Sequence, residues 1–254
     1  MNINKSTTGI DPKVKPSFRK IAVITGVLFI IATLTGPILA SPLIPDLTGT
    51  DYLTRVSAHP NQVAAGVLLS IIAYLACAGI AVAMYPVLKK WNVGLALGSV
   101  IFRTIETAFY LVGLLCLLSL LTLDQQFTTA ETADRTSLQA IGNLLVLVRD
   151  NAALVAVFAF CLGAFMYYYL FFQSRLIPRW LSGFGIVAII LMMAACVLAL
   201  FSGNRITSYI LLAAPIFLQE LVLAVWLIVK GFNPSVVASL SAKTATNDRQ
   251  LPLM

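Results

Sequence analysis

The chain has few charged residues for its length. Only 11% of its 254 residues are Asp, Glu, Lys or Arg, whereas about 25% are charged in an ordinary soluble domain. The hydrophobic fraction is 59% and the mean hydropathy is +0.93. This composition excludes an ordinary soluble domain and indicates an integral membrane protein.

The sequence also lacks the short motifs of common catalytic sites. It contains no HExxH, no GxSxG, no paired histidines and no glycine-rich phosphate loop, so protease and kinase chemistry lack their usual parts. His59 is the only histidine. Since no carboxylate or thiolate is suitably spaced around it, we interpret it as a surface or capping residue rather than a metal ligand. We therefore expect no metal and no cofactor, and we favour a protein that is not an enzyme.

The four cysteines carry no metal-binding or redox pattern. None belongs to a CxxC pair, and each lies inside an apolar run: Cys77, Cys116, Cys161 and Cys196. Such thiols behave as small buried hydrophobic groups. We predict that they are neither disulfide-bonded nor metal-bound.

What the chain does have is a series of long apolar runs. A helix rises 1.5 Å per residue, so about 18 to 20 apolar residues cross a hydrocarbon core of about 30 Å. Six runs meet this length: approximately 20–40, 62–88, 92–122, 140–172, 180–202 and 208–230. The sequence therefore predicts an all-α, polytopic bundle of six transmembrane helices at 19–233, a cytoplasmic N-terminal segment at 1–18 and a disordered cytoplasmic tail at 234–254.

The basic residues between these runs predict the orientation. Twelve lie on one side: Lys5, Lys13, Lys15, Arg19, Lys20, Lys89, Lys90, Arg175, Arg179, Lys230, Lys243 and Arg249. The opposite connections hold only Arg55, Arg135 and Arg205. The positive-inside rule then places both termini in the cytoplasm. Because the basic residues are spread between spans, the net charge of +7 is a signal of topology and not of nucleic-acid binding.

Five ionisable residues lie inside the predicted spans: Arg103, Glu106, Arg149, Asp150 and Glu220. A charge that faces lipid costs about 2.5 to 3.5 kcal/mol even on the milder insertion scales, so we expect these groups to face the bundle interior or one another. Two are basic and three are acidic, so one carboxylate lacks a basic partner. In a low dielectric such a group either stays protonated or holds a cation.

Depth along the helices predicts which of these groups meet. Counted from the basic flanks, Arg103 lies about 20 Å, Glu220 about 15 Å, and Arg149 and Asp150 about 35 Å into the bundle. We therefore expect Arg103 to be held between Glu106 on its own helix and Glu220 on the sixth. Tyr110 shares the face of Arg103 at i+7, and Tyr74 of the second span reaches a similar depth. The predicted intramembrane polar cluster is Arg103, Glu106, Tyr110, Tyr74, Arg149, Asp150 and Glu220.

One proline and one pair of glycines within the spans bear on how the helices pack. Pro215 lies five residues before Glu220 and removes the helical hydrogen bond to the carbonyl of Leu211. A cavity and a simple helix irregularity are both consistent with it. Gly94 and Gly98 form a GxxxG pattern, which we interpret as close helix packing.

Several segments resemble a known family. The stretches "FRTIE" (102–106), "SRLIPRWLSGFGIVA" (174–188), "QELVLAVWLIVKGFN" (219–233), "HPNQVAAGVLLSIIAYL" and "MYPVLKK" are similar to those of an uncharacterised bacterial multipass membrane family, domain of unknown function 4386. The resemblance covers most of residues 15–233. It implies an all-helical fold in the bacterial cytoplasmic membrane, and it implies no activity.

The sequence leaves two functions open. The first is binding or transport of a small molecule or ion through a polar intramembrane cavity lined by the embedded charges. The alternative is a non-catalytic membrane scaffold or accessory protein, in which the charges only lock helices together. Acid–base catalysis by Glu106 and Glu220 is disfavoured because a neighbouring arginine stabilises their charged forms. The expected partners are the lipid bilayer and a small ligand, but not nucleic acid, and the oligomeric state is left open.

Overall fold

The chain is helical throughout the part that the computed structural model describes, residues 14–129 and 132–239. The α-helices are α1 (Val14–Leu34), α2 (Tyr52–Ala58), α3 (Pro60–Leu88), α4 (Val93–Thr129), α5 (Thr132–Ser174), α6 (Arg179–Ser202) and α7 (Ile210–Val229). A π-helical turn (Thr35–Ala40) and a 3-10 turn (Ser41–Leu43) extend α1, and a 3-10 turn (Ile206–Tyr209) precedes α7. Residues 234–239 are also helical. The described residues contain no strand, which confirms the predicted all-α class.

Six helical segments are long and apolar enough to cross a membrane within these residues. They are Phe18–Leu43, Pro60–Leu88, Val93–Leu123, Arg135–Ser174, Arg179–Ser202 and Ile206–Val229. The prediction of six spans is therefore confirmed. The predicted N-terminal segment (1–18) and disordered tail (234–254) lie largely outside the described residues.

The six long helices form a closed ring in chain order. α1 packs against α3, α3 against α4, α4 against α5, α5 against α6, α6 against α7, and α7 returns to α1. Arg19 connects α1 to α7, since its guanidinium donates to the carbonyl oxygens of Ile228 (2.6 Å) and Leu227 (3.3 Å) near the end of α7. A cation at these terminal carbonyls satisfies groups that the helix itself leaves unpaired.

The interior of the ring is packed at the end that carries most of the basic residues. Large apolar side chains fill it there, among them Leu88, Tyr167, Phe171, Leu181 and Leu227, all fully buried. Each lies near a basic flank such as Lys89, Arg175 or Lys230. The other half of the ring contains a cavity, so the two ends of the bundle differ in packing.

Helices α4 and α5 are longer than a bilayer requires. With 37 and 43 residues, they are about 55 and 64 Å long at 1.5 Å per residue, against a core of about 30 Å. Both helices are therefore long enough to extend beyond the hydrocarbon core. The short helix α2 packs beside their extension, where Tyr52 Oη donates to Asn143 Oδ1 at 2.9 Å.

Candidate functional site

A cavity of about 810 Å³ lies in the half of the ring opposite the packed end. Its wall comes from α1 with the π-helical turn, α3, α4, α5 and α7, with Met192 from α6. Exposed residues such as Ile38 and Asp46 border its outer end, and buried Arg103 and Glu106 lie at its inner end. The cavity therefore runs from the loop surface into the bundle.

All seven residues of the predicted polar cluster line this one cavity. Tyr74 comes from α3, Arg103, Glu106 and Tyr110 from α4, Arg149 and Asp150 from α5, and Glu220 from α7. The cavity brings together five ionisable groups from three helices.

The innermost ion pair joins Arg103 to Glu106, which are 1% and 3% exposed. Arg103 Nη1 lies 2.8 Å from Glu106 Oε2, three residues further along α4. The guanidinium also donates from Nε to the carbonyl oxygen of Cys77 (3.3 Å) and lies over the ring of Phe160, 4.9 Å from its centre. Although the ions touch, neither Nη1 nor Oε2 has a hydrogen-bond partner, because the angles of the contact depart from hydrogen-bond geometry.

Gly163 of α5 allows this close approach to Arg103. A Cβ at position 163 would lie 3.1 Å from Arg103 Cγ and 3.2 Å from its backbone nitrogen, which is tighter than ordinary van der Waals contact. Glycine therefore lets α5 pack directly against the stem of the arginine. Gly98 of the predicted GxxxG pattern is also at a close contact, where a Cβ would lie 2.7 Å from Met166 Sδ.

The predicted contact between Arg103 and Glu220 does not form. Both residues are described, and no ion pair joins them; Glu220 Oε2 instead accepts a hydrogen bond from Thr33 Oγ1 of α1 at 3.0 Å. The carboxylate one helical turn away forms the ion pair with Arg103 instead of the carboxylate on α7. Similar depth did not fix the direction in which each side chain points around the ring.

A second group of charges lies nearer the outer end. Asp150 accepts from Arg205 Nε at 2.6 Å and Nη2 at 3.2 Å, and it also lies 3.3 Å from Arg149 Nη1. Arg205 Nη1 is 3.8 Å from Asp46 Oδ1. Thr48 donates to Asp46 from its hydroxyl (2.5 Å) and its backbone nitrogen (3.0 Å), and these hydrogen bonds hold the pKa of the Asp46 carboxyl below its usual range.

Two tyrosines stack in the wall between these groups. The rings of Tyr74 and Tyr110 are 4.5 Å apart and inclined by 9°. Thr107 Oγ1 supports the same region, since it contacts the carbonyl oxygens of Tyr74 (2.9 Å) and Arg103 (3.0 Å). The hydroxyl thus ties α3 to α4 beside the aromatic pair.

Sequence reasoning missed four features of the site. Asp46 was not considered, and Arg205 was assigned only to a connection between spans, although it pairs with Asp150. Thr33 was not considered because a single threonine in an apolar span carries no pattern. The pair Gly36-Pro37 was the available signal for the π-helical turn, since a proline within a span removes a helical donor. Both residues line the cavity.

The histidine and the cysteines, which we did not expect to bind a metal, lie apart from the cavity with the exception of Cys77. His59 is exposed at the start of α3 and does not border the cavity. All four cysteines are free, and Cys77 alone of them lines the cavity. Within residues 14–129 and 132–239, no group of three or more His, Cys, Asp or Glu residues is placed to hold a metal ion.

Fold and composition together define the class of this molecule: it is a multipass membrane protein built as a ring of six long helices around a cavity that ionisable residues border. Residues 24–231 match the family model described as Domain of unknown function (DUF4386), and the protein belongs to this family. No curated protein and no solved structure matches the chain. Family membership supplies no activity, so the function has to be argued from the cavity.

Proposed function

We propose that the protein binds a small molecule or ion in the cavity, as a receptor or as part of a transport cycle. The observation that carries this proposal is that all five embedded ionisable residues border one hollow of about 810 Å³. Pockets of roughly 300 to 1,000 Å³ with mostly apolar walls and a few convergent polar groups are typical of small-molecule sites. Intramembrane ionisable residues that face such a hollow commonly mark ligand or ion pathways.

The cavity belongs on the outer side of the bacterial cytoplasmic membrane in this proposal. The packed end of the ring carries Lys89, Lys90, Arg175 and Arg179, which the positive-inside rule assigns to the cytoplasm together with both termini. The cavity borders Asp46 and Arg205 at the opposite end. A ligand from outside the cell then reaches Glu106 and Glu220 without crossing the packed half.

The geometry of the ion pairs disfavours a scaffold whose charges only lock helices. The most buried pair, Arg103 and Glu106, lies within α4 and joins no two helices. Glu220 has no basic partner among the described residues. A helix-locking role needs ion pairs between helices, whereas the outer pair joins Asp150 of α5 to Arg205 in the connection between α6 and α7.

A variant that fills the cavity tests the proposal. Gly113 borders the hollow, and a Cβ there makes only ordinary contact with Arg149 Cγ at 3.6 Å, so Gly113→Leu should place a side chain in the space without breaking the fold. Ala108 lies on an exposed face of the same helix and does not line the cavity. Ala108→Leu is therefore the matched control.

The measurement is a thermal-shift survey of purified protein against inorganic ions, amines, carboxylates and neutral metabolites. A ligand at 100 times its Kd stabilises the folded state by about 2.7 kcal/mol. We expect at least one compound to raise the Tm of the parent and of Ala108→Leu but not of Gly113→Leu. If no compound in the panel shifts the parent, the scaffold alternative replaces this proposal.

A further inference from the structure

We infer that the ligand of this cavity is a monovalent organic cation with apolar substituents, and that its charged group lies beside Glu220. This inference rests on the proposed binding function and adds the chemical class of the ligand. Three properties of the inner end of the cavity carry it: the balance of charge, an unsatisfied carboxylate oxygen and the aromatic wall.

The inner end has one more carboxylate than it has cations. Arg103 contacts Glu106 at 2.8 Å, so these two charges balance. Glu220 accepts a hydrogen bond from the neutral hydroxyl of Thr33 at 3.0 Å and takes part in no ion pair within the described chain. An ionised Glu220 leaves a net charge of −1, which one monovalent cation neutralises.

A second carboxylate oxygen at this end contacts a cation but has no hydrogen bond of good geometry. Glu106 is 3% exposed, lines the cavity, and its Oε2 has no hydrogen-bond partner despite its contact with Arg103. A buried carboxylate oxygen without a donor is costly, since the desolvation of the group is not compensated. An ammonium group carries several N–H donors that carboxylate oxygens in the cavity can accept.

The walls around the carboxylates suit an organic rather than an inorganic cation. Tyr74 and Tyr110 stack at the side of the cavity, and Phe217 lies three residues before Glu220 on α7. Aromatic rings beside a carboxylate are how proteins hold organic ammonium groups. Inorganic divalent cations prefer several oxygen ligands, whereas no group of three or more His, Cys, Asp or Glu residues is placed for a metal within the described ranges.

The arginines that could bind an anion in the cavity already contact carboxylates of the protein. Arg103 is paired with Glu106, and both Arg149 and Arg205 contact Asp150. An incoming carboxylate or phosphate has to compete with these internal acids at each arginine. The cavity therefore favours a cation over an anion of the same size.

Three probes that share a phenylalkyl chain and differ in the charge of the terminal group test the inference. They are 4-phenylbutylamine, which is a cation at neutral pH, the neutral 4-phenylbutanol and the anion 4-phenylbutyrate. Binding is measured by equilibrium dialysis and thermal shift at one pH. We expect the amine to bind about 10- to 100-fold more tightly than the other two, the range expected for a buried charge-assisted contact.

Glu220→Gln should reduce amine binding by a similar factor and leave alcohol binding unchanged. Asp51→Asn is the matched control, because Asp51 is exposed, pairs with Arg55 and does not line the cavity; it should bind the amine as the parent does. If Glu220→Gln does not fold, the relative affinities of the three probes for the parent still show whether the cavity prefers a cation. Amine binding no tighter than alcohol binding, or no amine binding at all, overturns the inference.

Different results would refute the proposed binding function and the inference that the ligand is a cation. If other compounds from the survey bind the parent and Ala108→Leu but not Gly113→Leu, the cavity is a binding site even when the amine is rejected. In that case the cation inference is wrong and the proposed function stands. If Gly113→Leu binds every compound as the parent does, the proposed function is wrong as well.

Discussion

The buried pair of Arg103 and Glu106 makes a quantitative prediction about stability. At 2.8 Å the Coulomb attraction is about 6 kcal/mol with an effective dielectric constant of 20, before desolvation is subtracted. Removal of one partner leaves the other charge buried and uncompensated, and such changes cost about 3 to 5 kcal/mol. We expect losses of this size for Arg103→Met and for Glu106→Gln.

The double variant separates the pair from its surroundings. Arg103→Met with Glu106→Gln should cost about 2 to 3 kcal/mol less than the sum of the two single changes. A parallel cycle with Glu220→Gln should give a coupling to Arg103 that is smaller by at least about 1 kcal/mol, because no Arg103 nitrogen lies within 4.0 Å of a Glu220 oxygen.

Reversible unfolding in mixed micelles, followed by circular dichroism, measures both cycles. The parent and the five variants are compared at one pH and one detergent ratio, so that differences between the cycles report coupling energies. A coupling between Arg103 and Glu220 that equals or exceeds the coupling between Arg103 and Glu106 would refute this account of the inner end of the cavity.

Three further predictions concern other parts of the molecule. Arg19→Ala should lower the free energy of unfolding by about 1 kcal/mol, since it removes hydrogen bonds to the last carbonyls of α7. Arg19→Lys keeps the charge but loses the planar guanidinium, so it should recover part of this loss in the same unfolding assay. Ala153 borders the cavity, so Ala153→Cys, in a variant without native cysteines, should react from outside intact cells with a membrane-impermeant thiol reagent, and Ala108→Cys should not; equal labelling contradicts the outward orientation. Asp46 has a lowered pKa, so its contribution to stability is present above its ordinary pKa of 3.8 and is lost as the pH falls through the lower folded value. The difference in Tm between the parent and Asp46→Asn should therefore disappear on acidification, and a difference that persists well below that range would contradict this assignment.

The number and position of the spans were predictable because each depends on a local property. An apolar run of sufficient length specifies a transmembrane helix without reference to the rest of the chain. The starts of the spans agree closely with the prediction, as at Pro60 and Val93 against predicted starts at 62 and 92. The cost of facing lipid likewise predicted that Arg103, Glu106 and Glu220 lie inside the bundle.

The partner of each charge was less predictable, because it depends on rotation around the helix axes. Depth places Arg103 and Glu220 at similar levels, but the direction of a side chain changes by about 100° per residue. Packing at Gly163 and Phe160 turns Arg103 along α4 toward Glu106. Thr33, and not Arg103, contacts the carboxylate of Glu220. Nothing in the sequence around Thr33 distinguishes it from other threonines.

The hollow half of the ring has a physical origin in the size of its wall residues. Where the packed half has Tyr167, Phe171 and Leu227, the cavity wall has small side chains at positions that face the interior: Gly36, Ala73, Gly113, Ala153, Ala213 and Ala214. Such a hollow forfeits dispersion contacts that a packed core would make. Glu220 adds a desolvation cost that no ion pair within the described ranges offsets. A protein whose charges only held helices together would gain stability from larger wall residues and from a neutral residue at position 220. A binding protein needs both the space and the carboxylate. Proteins commonly give up stability at functional sites in this way.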